Sequence, residues 1–406
     1  MWEIIRANRR RSVALVASLA ALLLAVGYAL GELARPGAGS LGLGSAFLVW
    51  LGLALAAYFS GDRILLAASR ARRIRREHHP VLWNVVEEMC IASGLARLPE
   101  IYIIDEQAPN AFATGRDPER SALAVTAGLL ESLDRDELQG VVAHEIGHIN
   151  NRDILYMTMA GVMLGTVVML ADLGRRILWH GGGRRRTSSD RGGGAARLLG
   201  LAVALALVVL APLLARLMYL ALSRRREYLA DASAALYTRY PEGLARALEK
   251  IAASPLPLEA ANRATAPMYI VNPLNPTARG LAGIGSTHPP TAERVRILRS
   301  LAGRSLSLAG YDEAFRAVTG RAVGVVPAGS RQAAASVPAR VAGATGSSRL
   351  ERVRQATDAL WRLQDYSFIA CSCGTSLKVP PAHAGREIPC PHCGAPHGPP
   401  GMAQPS

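Results

Sequence analysis

The chain has 406 residues, a formal net charge of +15 and a hydrophobic content of 50%, of which little is aromatic. Such an aliphatic excess favours a membrane protein over a soluble one once it is found in clusters. Of the 46 basic residues only Lys250 and Lys378 are lysines. The arginines flank apolar runs instead of interleaving with aromatics, so the charge suits a membrane surface and argues against nucleic acid as a partner.

Two uncharged runs open the chain, Ser12 to Gly31 and Pro36 to Gly61. Each is close to the roughly 20 apolar residues that cross a bilayer. Arg6, Arg9, Arg10 and Arg11 precede the first run, and Arg63, Arg70, Arg72, Arg73, Arg75 and Arg76 follow the second. The positive-inside rule puts both flanks in the cytoplasm and makes residues 1–61 a transmembrane hairpin. The first run also reads as a signal peptide, and its removal would leave the rest of the chain facing inward.

The soluble part, residues 62–153, begins with a helix predicted over Val81 to Ser93, with Leu82, Val85, Val86, Met89 and Cys90 on one side and Gly94 as its stop. Short strands follow at Ile101 to Ile104 and Leu123 to Thr126, separated by a loop holding Pro109, Gly115 and Pro118. Asp134 and Glu137 form a D-x-x-E helix start, and the helix it opens carries His144-Glu145-Ile146-Gly147-His148. Histidines four apart share a helical face and can grip one Zn²⁺ with Glu145 beside it. A buried structural helix is the plainer reading of the same string.

A catalytic zinc needs a third protein ligand and an open position for water. Glu227 is the candidate, because Asp231 follows it at four-residue spacing, placed to hold a ligand histidine or to pair with an arginine. Two further uncharged runs, Ile154 to Ala171 and Leu198 to Ala215, lie between His148 and Glu227. Both residues must reach one metal, so residues 154–222 cross the membrane twice or not at all. The arginine-rich loop from Asp172 to Arg197 would face outward in the first case, and an embedded hairpin is the other. Helices are predicted over Ala232 to Tyr237, Pro241 to Ile251 and Ala292 to Leu301. His78, His79 and His180 carry no ligand pattern.

These motifs, taken with Gly61-Asp62-Arg63, Pro109 to Gly115, Asn151-Arg152-Asp153, Ser223 to Asp231, and Thr287-His288-Pro289-Pro290 with Arg294, resemble the HtpX-like family of membrane zinc metalloproteases, relatives of the CAAX prenyl endopeptidases. The resemblance covers about three quarters of the chain. It implies an endopeptidase acting on damaged or misfolded membrane proteins, multi-pass in the inner membrane, with its N-terminus and active site cytoplasmic. His144, His148 and Glu227 would bind Zn²⁺, Glu145 would act as the base and Asp231 would support a histidine. His288 reads as a donor to the oxyanion or as a structural hydrogen bond. Asn110, Ala111 and Phe112 lie on an edge along which a substrate extends, or on an ordinary loop.

A second metal module closes the chain. Cys371-Ser372-Cys373 and Cys390-Pro391-His392-Cys393, each followed by glycine, suit the knuckles of a structural zinc ribbon. Because the first pair is C-x-C, His383, His392 or His397 could replace a ligand, and disulfides are the alternative. Residues 223–320 complete the protease, 321–348 read as a flexible linker rich in small residues, 349–397 as a short helix and ribbon, and 398–406 as a disordered tail. The fold class is mostly α with a small β-sheet, a zincin-like domain with transmembrane hairpins and an appended ribbon. Lipid bilayer and protein or peptide substrates are the expected partners. A catalytically silent membrane adaptor or holdase is the alternative function, and oligomeric state is not legible.

Overall fold

The computed structural model describes residues 2–35, 37–157, 159, 224–258, 269–271, 288–301, 306–332, 336–340, 348–383 and 386–398. Helices α1 (Trp2–Ala34) and α2 (Gly39–Ala68) pack antiparallel through small residues. A Cβ on Gly27 would meet Ala46 Cβ at 2.3 Å, and one on Gly42 would meet Gly27 O at 2.3 Å. Only glycine lets these backbones approach so closely. Glu32 bridges the turn, accepting from Gly37 N at 2.9 Å and Gly39 N at 3.0 Å. By length and composition α2 can cross a membrane, whereas the apolar part of α1 is the shorter Val16–Glu32. The two expected spans are therefore one full-length apolar helix and a shorter companion. Most of the third and fourth apolar runs, and the arginine loop between them, lie outside the described residues.

The part of the chain beyond α2 is built on a four-stranded sheet ordered β1 (Arg72–Arg73), β2 (Glu100–Ile104), β4 (Arg120–Thr126), β3 (Ala111–Asp117). β2 and β4 run parallel, and β3 pairs antiparallel with β4 at the edge. The expected loop between the strands thus contains a strand of its own, β3. α3 (Pro80–Ser93) buries Leu82, Val85, Val86, Met89 and Cys90, and Gly94 ends it at φ +69°. His79 is structural, since its buried Nδ1 accepts from Leu82 N at 3.1 Å and caps that helix.

Helix α4 (Ala127–Ser132) follows the sheet, and α5 (Arg135–Asn150) opens with the expected capping box between Asp134 and Glu137. Nearly all of α5 is buried, between α3, β3, the helix at 224–238 (α6) and α7 (Pro241–Ala253). Glycines make that possible. A Cβ on Gly140 would meet Leu244 N at 2.6 Å, and one on Gly147 would meet Ser233 Cβ at 3.1 Å. The two glycines are seven residues apart, hence on one face of α5. Helices α8 (Thr291–Ser300) and α9 (Leu308–Thr319) close the far side of the core.

The described residues of 321–348, namely 321–332, 336–340 and 348, include packed positions where a flexible tether is expected. Val325 and Val326 are buried in the main core, Val337 exchanges hydrogen bonds with Leu306, and Arg340 Nη2 reaches Asp136 Oδ1 and Gln139 Oε1, each at 2.7 Å. Helix α10 (Arg349–Arg362) is docked too, with Ala356 and Ala359 in the same core and Arg362 Nη1 donating to Glu77 O at 2.8 Å.

Candidate metal centre

Three ligand atoms converge where α5 and α6 cross. His144 Nε2 and His148 Nε2 are 3.2 Å apart, and the Glu227 carboxylate lies 3.7 Å from the first and 3.6 Å from the second. A tetrahedral zinc with bonds near 2.05 Å has ligand-to-ligand edges of roughly 3.3 Å. The residues fit such an ion. All three are buried.

Each imidazole has its other nitrogen on a carboxylate. His144 Nδ1 is 3.0 Å from Asp231 Oδ1, and His148 Nδ1 is 3.4 Å from Asp153 Oδ2. This arrangement keeps the proton on Nδ1 and turns the Nε2 lone pairs toward one point. Burial alone would lower both histidines; Asp231 and Glu227 more than offset it at His144, and Asp153 with Glu227 lifts His148 to about 9. Burial acts upward on Glu227, yet His288, His144 and His148 hold it well below the carboxylate range. A pocket that holds positive charge this firmly is also suited to a divalent cation.

Asp231 makes both of the contacts weighed from the sequence. Its oxygens accept from Arg294 Nε at 2.8 Å and Nη2 at 2.7 Å, and one of them also faces His144. Arg294 is almost fully buried and donates a further bond to Ile270 O at 3.1 Å. Sequence spacing assigns no role to Arg294 or Asp153, although both stand within the motifs named above. His288 joins the site, with Nδ1 at 3.1 Å from Glu227 Oε2. Glu145 is buried beside the histidines, its carboxyl raised chiefly by desolvation, and its Oε1 has no hydrogen-bond partner among the described residues.

Asn110, Ala111 and Phe112, expected as substrate contacts or as an ordinary loop, stand at the entry to β3. Asn110 Nδ2 donates to Val271 O at 2.9 Å, Ala111 O accepts from Ile270 N at 3.0 Å, and Phe112 stacks edge-on against buried Tyr269. These groups tie segment 269–271 to the start of β3 instead of facing a cleft. Thr126 N donates to Asn110 O at 3.0 Å and Asn110 N donates to Thr126 Oγ1 at 2.9 Å, so by antiparallel alternation Ala113, like Ala111, points its peptide groups away from β4. Ala113 is the strand residue whose main chain acts on Glu145.

In the tail, β5 (Ser367–Ala370) with β6 (Ser376–Val379) and β7 (Ile388–Pro389) with β8 (Pro396–His397) form two small hairpins. Each turn carries a cysteine pair and ends on a left-handed glycine, Gly374 at φ +86° and Gly394 at φ +75°. The four sulfurs lie within 4.8 Å of one another, with Cys371 to Cys393 at 3.4 Å and Cys373 to Cys390 at 3.7 Å. Those separations exceed a disulfide bond and approach the roughly 3.8 Å edges of a tetrahedral Zn–S₄ site. None of His383, His392 and His397 belongs to the cluster. Lys378 pairs with Asp358 at 2.7 Å and joins the hairpin to α10.

Comparison with known proteins matches residues 77–302 to the family model described as Peptidase family M48. A protease HtpX homolog of Dictyoglomus turgidum is 46% identical over 303 residues, covering 75% of this chain and 95% of that protein. One from Thermococcus sibiricus is 43% identical over 72% of this chain and 95% of its own. Among solved structures, S. mikatae Ste24p aligns at 20% identity and a TM-score of 0.38, over 73% of this chain and 67% of that one. With more than half of its length inside the family model and HtpX homologues at this identity, the chain belongs to peptidase family M48, among its HtpX-like membrane proteases.

Proposed function

We propose that this metalloprotease is a zinc endopeptidase whose active site faces the cytoplasm and which hydrolyses peptide bonds of damaged or misfolded membrane proteins. The observation that carries the reading is the convergence of His144, His148 and Glu227 within 4.8 Å, with Glu145 buried next to them. Orientation rests on the arginine flanks of the N-terminal helices, and the substrate class on kinship with the HtpX proteases.

When bound, zinc lowers the pKa of a coordinated water toward neutrality and polarises the scissile carbonyl. The chain's own residues do the rest. His144, His148 and Glu227 hold the ion, while Asp231 and Asp153 fix the two imidazoles. Glu145, whose burial raises its proton affinity, takes the proton of the attacking water and passes it to the leaving amine. His288 donates to the oxygen on which negative charge develops. Cys371, Cys373, Cys390 and Cys393 hold a second zinc with no open position, a structural site.

The test combines metal analysis with digestion of casein and a model membrane protein, with and without chelator. Glu145→Gln keeps zinc and abolishes cleavage; Glu227→Ala loses the catalytic zinc. Cleavage by Glu145→Gln protein at the wild-type rate would sink the reading.

A further inference from the structure

We infer that a crevice between α1, α2 and the catalytic unit binds the phosphodiester headgroup of an anionic phospholipid. The inference rests on the membrane reading of α2 and adds a specific lipid site to it. A cleft of about 500 Å³ is lined by Arg6, Arg9, Tyr58, Arg116, Arg152 and Tyr156. Four arginines face one acidic lining residue, Asp117, which already pairs with Arg116 at 3.6 Å. Among the described residues Arg6, Arg9 and Arg152 make no ion pair. Unbalanced guanidinium groups converging on one cleft suit a phosphodiester, which their planar forks bind in bidentate fashion.

The level of the cleft selects the source of that phosphate. Along α2 the exposed residues run Leu48, Leu51 and Leu55, then Tyr58 and Phe59, and the charged pair Asp62 and Arg63 follows. Aromatic residues at the end of an apolar face mark the headgroup zone of a bilayer. Because Gly27 packs against Gly42 and Ala46 in antiparallel helices, Arg6 and Arg9 lie level with the last turns of α2. The crevice therefore sits at the headgroup boundary, with the exposed aliphatic faces of α2 at Leu48, Leu51 and Leu55 and of α1 at Val13 leading away from it to receive acyl chains. A soluble acidic peptide would find arginines there but no use for those faces.

Two local details favour a built site over a chance gathering of charge. Arg116 lies over the Tyr58 ring at 5.1 Å, which orients its guanidinium against α2. Arg152 adopts φ +55°, a left-handed conformation that costs an arginine energy where glycine or asparagine would fit freely. It directs this side chain to the cleft from the end of the helix that carries His148.

The full chain is reconstituted into nanodiscs of equal parts phosphatidylcholine and phosphatidylglycerol, and the lipids it retains on release are weighed by native mass spectrometry. Wild-type protein retains phosphatidylglycerol in preference to phosphatidylcholine. Arg6→Gln/Arg9→Gln/Arg116→Gln lowers that preference by at least about fivefold, the scale of one arginine at an anionic surface. Arg296→Gln/Arg354→Gln/Arg386→Gln, which removes equal charge elsewhere, leaves it unchanged. Should the first variant fail to fold, Arg9→Gln alone and the wild-type lipid preference decide the matter. Equal retention of both lipids by wild type, or an equal drop in the control variant, overturns the site. Displacement of the lipid by inorganic phosphate alone, or by polyglutamate alone, overturns the assignment to a phospholipid. Failure to enter the nanodiscs at all would count instead against the membrane reading.

Discussion

Arg294 closes a two-pronged bond on Asp231, at 2.8 and 2.7 Å, and Asp231 in turn stands 3.0 Å from His144 Nδ1. The pair is buried, so its value lies in both partners being present. Arg294→Ala leaves a carboxylate uncompensated in the core and costs roughly 3–5 kcal/mol, whereas Arg294→Lys keeps charge but loses the fork. Thermal unfolding and zinc content measured together check this: alanine lowers both, lysine lowers metal affinity more than stability. Equal stability of the alanine variant and wild type would refute it.

Asp153 offers a separable test. Its contact to His148 Nδ1 is longer, 3.4 Å, and it makes no ion pair to an arginine among the described residues. Asp153→Asn therefore weakens zinc binding by about tenfold, at the low end for such supporting groups, with little effect on folding. A competition titration with a chromogenic chelator reads the change. An unaltered affinity would mean that Asp153 serves the chain turn instead of the imidazole.

The pH dependence follows from the directions of the shifts. His148 is raised from 6.5 to about 9, so in the metal-free protein its protonated form contributes stability that is full below pH 6.5 and lost as pH rises through about 9. Glu227 and Asp231 are lowered, and their contribution is lost as pH falls through the acid range. Chelated protein should melt at progressively lower temperature from pH 6.5 to 9, while the stabilisation conferred by added zinc grows over the same window, because binding releases those protons. A flat melting profile without metal would contradict this.

The tail divides into a part the protease needs and a part it does not. Cutting after Ser330 removes Arg340, whose side chain also donates to Thr238 O at 3.0 Å, together with the buried Ala356 and Ala359 of α10. Arg340→Ala alone costs roughly 2 kcal/mol, the scale of hydrogen bonds involving charged groups. A cut after Gln364 removes only the hairpins and should leave a folded, active enzyme with one zinc in place of two. Normal stability after the first cut, or lost peptide cleavage after the second, would overturn this division. Expression level, melting temperature and metal stoichiometry distinguish the outcomes.

How far the sequence revealed this arrangement depended on the range of each signal. The α3 stripe, the Asp134–Glu137 box and the histidine and Glu227–Asp231 spacings are local, and the structure reproduces their geometry. β3 was hidden because Ala111-Phe112-Ala113-Thr114-Gly115 is poor in β-branched residues and follows a proline. It is a strand through pairing with β4, not through propensity. Arg294 meets Asp231 across 63 positions, a separation at which no periodicity speaks. The docking of 336–340 and α10 was hidden for a related reason, since alanines and arginines resemble a solvated linker until a surface is supplied for them.

Gly147 gives the HExxH string a tighter meaning than its two blanks suggest. It lies between the proposed ligands His144 and His148, facing Ala230 and Ser233 of the helix that delivers Glu227. An added methyl would stand 3.1 Å from one neighbour and 3.3 Å from the other, so that helix would have to recede by a few tenths of an ångström. Zinc–ligand bonds tolerate errors of only about 0.2 Å. The bite of the site is thus gauged by a single hydrogen atom, and a residue that touches neither metal nor substrate sets how near the third ligand can come.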